Sequence, residues 1–308
     1  MKKDEVRVYG PATVSNVGPG FDLLGFALEE PGDEMIIRRN GSRSLRLVDE
    51  SGCSLPLDPG INVAAIAATA ILSELGIREG FDMIFTRKIT PGSGVGSSAA
   101  SCVAAVVGIN EVLGNPFETE ALIPYAMEGE KMASGATHAD NIAPALLGGM
   151  TLIRSYDPLD IKHIPYPSDL WCAIVHPALE IRTLESRKQI PRQVTLKHAL
   201  QQCGNLAGLV AGLATADYSL ISRSICDVLA EPYRTHQLPD YQLLKEAALN
   251  SGSLGTGLSG SGPAVFSLCR GEEMAKMVGK VMKKHFTDRE TGAVVYVSRI
   301  SQAGCRIL

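Results

Sequence analysis

The densest concentration of chemistry-bearing residue types is Pro91-Gly92-Ser93-Gly94-Val95-Gly96-Ser97-Ser98-Ala99-Ala100-Ser101. Glycines let a backbone take positive φ and pass close to a ligand, and a helix beginning just beyond them aims unpaired N–H groups at an anion. Phosphate binding is the chemistry such a loop supports, helped by the hydroxyls of Ser93, Ser97, Ser98 and Ser101. It is not a dinucleotide fingerprint, because Ser97 stands where the third glycine should be, and no lysine completes a Walker pattern. A second loop, Gly255-Thr256-Gly257-Leu258-Ser259-Gly260-Ser261-Gly262, contains a literal G-x-G-x-x-G. However, it follows a helical stretch and leads into the apolar strand AVFSL, the reverse of the dinucleotide context, and the companion motifs of protein kinases are absent. Alone, it reads equally as a tight hairpin or a ligand clamp.

These loops need elements to hold them. Val6 to Val14 alternates as a strand until SNVGPGFD breaks it, and Glu34 to Arg39 and Ser44 to Val48 read as further strands. NVAAIAATAILSEL reads as a helix with Asn62 at its N-cap and Gly76 as its stop, followed by a strand from Phe81 to Ile89. Beyond Pro91 come a helix to about Leu113, another around Ala121 to Ala133, a short one within His138 to Leu147, and a strand from Gly149 to Arg154. Ser155 to Asp169 reads as a crossing with few regular elements, which places a domain boundary there: 1–167 with the phosphate loop 91–101, and 168–308 with the glycine loop 255–262. The second unit reads as strand (Leu170 to Val175), helices between Arg182 and Asn250, a hairpin around Leu254 and Ala264, a helix (Glu272 to His285) and a strand (Ala293 to Ile300). That order approximates a ferredoxin-like split βαβ sandwich with inserted helices, in an α+β chain.

Composition narrows the function classes. A chain of 308 residues exceeds the usual size of one core, so two domains sharing a cleft are expected. A net charge of −4 without a basic run argues against nucleic acid as a partner. No segment is long and apolar enough to span a bilayer, and MKKDEVRVYG has no apolar stretch behind its charges, so no membrane association and a cytoplasmic address are expected. The cysteines number seven, an odd count with no C-x-x-C pair, which argues against zinc and for reduced thiols packed as small apolar residues.

The opening segment PATVSNVGPGFDLLGFAL, the loop PGSGVGSSAAS and the segment GLSGSGPAVF together resemble the superfamily of galactokinase, homoserine kinase, mevalonate kinase and phosphomevalonate kinase, in the same order and over essentially the whole chain. Mevalonate-type members carry a lysine near Ala12 and Thr13, and its absence favours the homoserine kinase branch. The resemblance implies a first domain like domain 2 of ribosomal protein S5 and a ferredoxin-like second domain with the active-site cleft between them. It also implies ATP and Mg2+ as cofactors, L-homoserine as the small-molecule substrate, and a place in threonine biosynthesis. A homodimer is expected through the resemblance only. Another small-alcohol kinase of the superfamily, or a non-catalytic ATP or amino-acid sensor of the same fold, are the competing readings.

The resemblance also suggests roles. The loop from Pro91 to Ser101 would cradle ATP phosphates, with Asn62 near the adenine. Ser98 and Glu130 would serve magnesium, although Glu130 within EGEKMAS reads by itself as a solvated helix-face glutamate. Counting back from Gly148-Gly149 puts Asn141 where many members carry a catalytic aspartate. Asparagine cannot accept a proton, so Asn141 would orient the substrate hydroxyl, while the adjacent Asp140 leaves a carboxylate base open. A free amino acid needs a cation for its carboxylate, and the planar fork of arginine suits it. Arg187 and Arg234 match that role, with Asn16 and Asp22 near the amino and hydroxyl groups and His138 as a further substrate contact.

Overall fold

The computed structural model describes residues 3–135, 137–179, 183–238, 240–288 and 292–308; Ala136 and Arg182, which fall in segments singled out above, lie outside the described residues. The chain opens with β1 (Glu5–Ser15) and the long β2 (Leu24–Arg39), paired antiparallel from Glu5↔Arg38 to Ser15↔Gly25. The strand expected at Glu34–Arg39 is therefore only the far end of β2. The strand runs straight through Glu30-Pro31-Gly32-Asp33: Gly32 lies against the Tyr9 ring, where no side chain would fit, and Asp33 turns fully inward.

After β3 (Arg46–Asp49) come α1 (Val63–Glu74), β4 (Phe81–Arg87), α2 (Ser97–Val112), α3 (Ile123–Ser134) and α4 (Ile142–Leu147), then β5 (Met150–Tyr156) and β6 (Leu159–Ile164). The first sheet runs β3-β4-β2-β1 with β5 and β6 attached through β2. The sequence reading of Ser155–Asp169 as an irregular crossing is thus corrected by β6, which pairs antiparallel with β5. Only Ile164 of β6 is buried, so no apolar alternation marks it. Helices α1 and α2 are alanine-rich, and their small side chains let α2 pack closely over this sheet and α1 pack on α2 and α3, in one apolar cluster with Val8, Ile37, Phe81 and Phe85.

The chain changes sheets between Ile164 and Leu170. β7 (Leu170–Pro177) is followed by α5 (Thr183–Lys188), α6 (Leu196–Thr215), α7 (Tyr218–Ser224), α8 (Glu231–Arg234) and α9 (Tyr241–Asn250), then β8 (Gly255–Leu258), β9 (Val265–Arg270), α10 (Glu272–Thr287) and β10 (Ala293–Arg299). Their sheet has the order β10-β7-β9-β8, all antiparallel, which is the ferredoxin-like arrangement. The first half of the expected glycine loop is itself strand β8, because Gly255 and Gly257 pack tightly on Ile225 and Phe266; the loop proper is Ser259–Pro263. The last strand, β11 (Arg306–Ile307), returns to the first sheet beside β1, with Val8 opposite Ile307. A second apolar cluster joins the two sheets, with Phe26 edge-on to Phe266 at 6.5 Å. No described helix is long and apolar enough to cross a membrane, and all seven cysteines are free thiols.

Candidate active site

A cavity of about 500 Å³ opens where the two sheets meet, and the three loops singled out by sequence all reach it. At one end lies the glycine-rich loop Pro91–Ser101. Gly92, Gly94 and Gly96 have φ of 72°, 82° and 68°, and Gly96 precedes α2 with no side chain capping that helix, so its first N–H groups are left for a ligand. The loop is pinned on both sides. Thr13 N–H donates to Val95 O at 3.1 Å, and Ser259 Oγ donates to Gly94 O at 2.6 Å. A Cβ on Gly94 would stand 2.8 Å from Gly262 O, so the two glycine loops touch only because this residue lacks one.

Beneath the loop sits a charge pair the sequence reading missed. Lys88 Nζ lies 2.9 Å from Asp33, with side chains only 5% and 0% exposed, and it also donates to the backbone O of Ser97 at 3.0 Å and to the Ser97 hydroxyl. Asp33 in turn accepts from Ser101 Oγ at 2.6 Å and Ile89 N at 2.8 Å. Removing one partner of such a pair typically costs ~3–5 kcal/mol, so this cluster fixes the first turn of α2. Val95, Ala99 and Ala100 face the apolar clusters and offer a ligand only their backbone.

Ser98 Oγ donates to Glu130 Oε2 at 2.6 Å. Glu130 is buried, and burial pushes its pKa up to about 7, with the nearby charge of Asp140 adding and the Ser98 hydrogen bond opposing. Among the described residues, no group of three or more His, Cys, Asp or Glu could hold a metal. A hydroxyl beside a buried carboxylate nevertheless fits Mg2+, which takes few protein oxygens and keeps water and phosphate ligands. Asn62 caps α1, its Oδ1 accepting from Ala64 N and Ala65 N at 3.0 and 3.2 Å, and it lines the cavity beside Pro56 and Ile61. Capping and ligand contact coexist.

The other end is built from side chains. Asn141 is fixed by both atoms of its amide: Thr13 Oγ1 donates to its Oδ1 at 2.7 Å, and its Nδ2 donates to Ser15 Oγ at 2.9 Å. Asn16, at φ 60°, donates from Nδ2 to Gly260 O at 2.9 Å and accepts from Asp22 N at 2.8 Å. Arg187 grips Asp22 with both terminal nitrogens, at 3.1 and 2.6 Å. Arg234 donates to Gly260 O at 3.1 Å while its buried Nε has no partner. The two guanidinium groups lie 5.5 and 5.1 Å from the Phe21 ring, so arginines distant in sequence converge on one aromatic side chain. His138 Nε2 is 3.6 Å from Asp22, and burial lowers its pKa, favouring the neutral ring. Asp140 is buried in the same cavity, and desolvation, aided by the charge of Asp22, pushes it up to about 7.

The structure thus brings Asn16, Asp22, His138, Asn141, Arg187 and Arg234 to one end, and the phosphate loop, Ser98, Glu130 and Asn62 to the other. Sequence reasoning missed Thr13, Ser15, Phe21, Asp33 and Lys88. Thr13, Ser15 and Phe21 stand inside a segment already singled out, whereas Lys88 carried no signal beyond lying three residues before Pro91.

Comparison with known proteins agrees with this geometry. A family model described as GHMP kinases N terminal domain matches residues 62–149, and one described as GHMP kinases C terminal matches residues 209–288. The homoserine kinase of Chlorobium phaeovibrioides is 43% identical over 317 residues, covering 98% of this chain and 99% of its own. That of Pyrococcus abyssi is 37% identical over 299 residues, covering 97% of each. The crystal structure of homoserine kinase from Cytophaga hutchinsonii superposes with a TM-score of 0.96 at 45% identity, covering 100% of this chain and 98% of that one. Mevalonate kinase of L. major shares the fold, with a TM-score of 0.76 at 17% identity over 97% of this chain and 99% of that one. The chain belongs to the GHMP kinase family, in its homoserine kinase branch.

Proposed function

We propose that this chain transfers the terminal phosphoryl group of Mg2+-bound ATP to the hydroxyl of L-homoserine, giving O-phospho-L-homoserine for threonine biosynthesis. The observation that carries this reading is one cavity with an anion-binding helix N-terminus at one end and a paired-arginine cluster with Asp22 and Asn141 at the other.

Phosphoryl transfer asks chiefly for positioning and charge neutralisation. The backbone from Pro91 to Ser101 cradles the phosphates and Asn62 lies near the adenine. Ser98 and Glu130 would hold Mg2+, whose charge would offset that of the phosphate oxygens. Arg187 and Arg234 take the substrate carboxylate, while Asp22, Asn16 and His138 face its amino end. Asn141, immobilised by Thr13 and Ser15, orients the hydroxyl toward the phosphate loop, and the proton leaves to phosphate or water. This reading divides the chain at residue 167, with 1–167 supplying the phosphate loop and 168–308 supplying the arginines.

A coupled ADP-release assay across homoserine, mevalonate, galactose and shikimate tests it. Homoserine should give the highest kcat/KM, and a higher value for mevalonate would overturn the substrate assignment.

A further inference from the structure

The acceptor end is assembled from segments that share no secondary structure. Asn16, Phe21 and Asp22 ride on the loop between β1 and β2, and Arg234 ends the four-residue helix α8. A helix of one turn does not stabilise itself, so something must fix where Arg234 points. The start of α8 is held by Asp227, whose carboxylate accepts from Leu229 N at 2.8 Å, Glu231 N at 2.8 Å and Ala230 N at 3.2 Å.

Gln202 connects this arrangement to the other segment. Buried on α6, it donates from Nε2 both to Asp227 Oδ1 and to Pro19 O, each at 2.9 Å, while its Oε1 accepts from Val228 N at 2.9 Å. One amide therefore ties the backbone of the β1–β2 loop to both the carboxylate and the backbone that launch α8. Both donor hydrogens and the carbonyl are used, and no other amino-acid side chain offers that set at that length.

The geometry points to Gln202 as a positioning residue for the acceptor, acting by holding Phe21 and Asp22 in register with Arg234. It makes no contact with the cavity itself. The phosphate end is pinned independently, through Thr13 to Val95, Ser259 to Gly94 and the Lys88–Asp33 pair. Loss of Gln202 thus leaves the two acceptor segments joined only through Gly260 O and the Arg234–Phe21 contact, free to shift against each other, and leaves the nucleotide end in place. The inference rests on the reading that Arg234 and Asp22 face the acceptor.

Gln202→Met keeps length and apolar packing and removes all three hydrogen bonds; Gln202→Glu keeps shape, loses both donors and sets a second carboxylate against Asp227. Steady-state kinetics should show the acceptor KM raised roughly tenfold in both, with the ATP KM within about twofold of wild type, because small misplacements in a positioned site cost that much or more. Leu209→Ala is the structural control: it opens a cavity in the same helix, on a fully buried residue that does not line the site, and should lower Tm without moving the acceptor KM. A wild-type acceptor KM in Gln202→Met, an equal rise in both KM values, or an acceptor KM rise in Leu209→Ala at matching loss of Tm would each overturn the role. If wild type prefers an acceptor other than homoserine, the substrate assignment falls, and the same comparison is read with that acceptor.

Discussion

The two ends of the cavity are built on different principles. The glycine-loop end is built around one contiguous stretch of backbone, three left-handed glycines leading into the uncapped start of α2, whose exposed groups are amides that every sequence possesses, with Ser98, Glu130 and Asn62 as its few side chains. The acceptor end consists of side chains drawn from the β1–β2 loop, residues 138–141, α5, α8 and the turn at Gly260. Its ties bridge large separations, such as Asn16 to Gly260 and Asp22 to Arg187. A backbone cradle serves any phosphate chain. A constellation of long-range side chains selects one small molecule, and it is only as accurate as the contacts that hold it.

If this contrast is right, substitutions at the two ends should separate in what they damage. The largest effect belongs to the pair proposed for the metal: Glu130→Ala and Ser98→Ala should each lower turnover by about a hundredfold and shift the magnesium titration to higher concentration, since a bound metal contributes several kcal/mol to phosphoryl transfer. Homoserine saturation should move little. Wild-type turnover and an unchanged magnesium titration in both variants would remove the pair from the site. Arg187→Ala and Arg234→Ala come next. Losing one partner of a desolvated charge pair typically costs ~2–5 kcal/mol, so each should raise the homoserine KM at least roughly tenfold while ATP saturation stays put. Arg234 should show the larger effect, being buried with a free Nε, whereas Arg187 is more exposed and already shares its charge with Asp22. Lysine should rescue either only partly, for want of the paired donors. An equal loss for both substrates would erase the distinction between the ends.

The same contrast explains what could be read from sequence. The loop at 91–101 and the helix behind it were legible because their pattern is local: glycine spacing, serines and a following apolar helix lie within one segment. Asn62 was legible as a cap for the same reason, as the Ala64 and Ala65 contacts bear out. Nothing local marks Gln202 or Lys88, whose partners lie on other elements, and Glu130 looks like a solvated helix residue until the fold buries it against Ser98. The β6 strand was invisible because an edge strand with one buried residue has no alternation to detect. The return of β11 to the first sheet is two residues long, below any periodicity.

The smallest effect on catalysis is expected at Asp140, and it carries the sharpest sign. If Asn141 orients the hydroxyl and no carboxylate takes its proton, Asp140→Asn should keep most of the activity; a loss of ~10²–10⁴-fold in a folded variant would instead make Asp140 the general base. Stability should respond in the opposite direction. Burial raises the folded-state pKa of Asp140 to about 7 from its ordinary 3.8, so the folded protein holds a proton that the unfolded chain releases across that interval. The resulting stability is fully present below about 3.8 and is lost as pH rises through about 7. At pH values above that window the wild type keeps an ionised carboxylate out of water, next to Asp22, and the amide of the variant removes that cost. Asp140→Asn should therefore melt higher than wild type at mildly alkaline pH, by a few degrees, with the difference shrinking steadily as the buffer is made acidic. Glu130 is raised from 4.5 to about 7, so the variant's own Tm should still decline as pH rises from about 4.5 to about 7, less steeply than that of wild type, and level off above it. Melting curves across that range, run beside turnover measurements, decide the matter: a variant that is no more stable at alkaline pH would show that the Asp140 carboxylate is well solvated or paired in the folded protein.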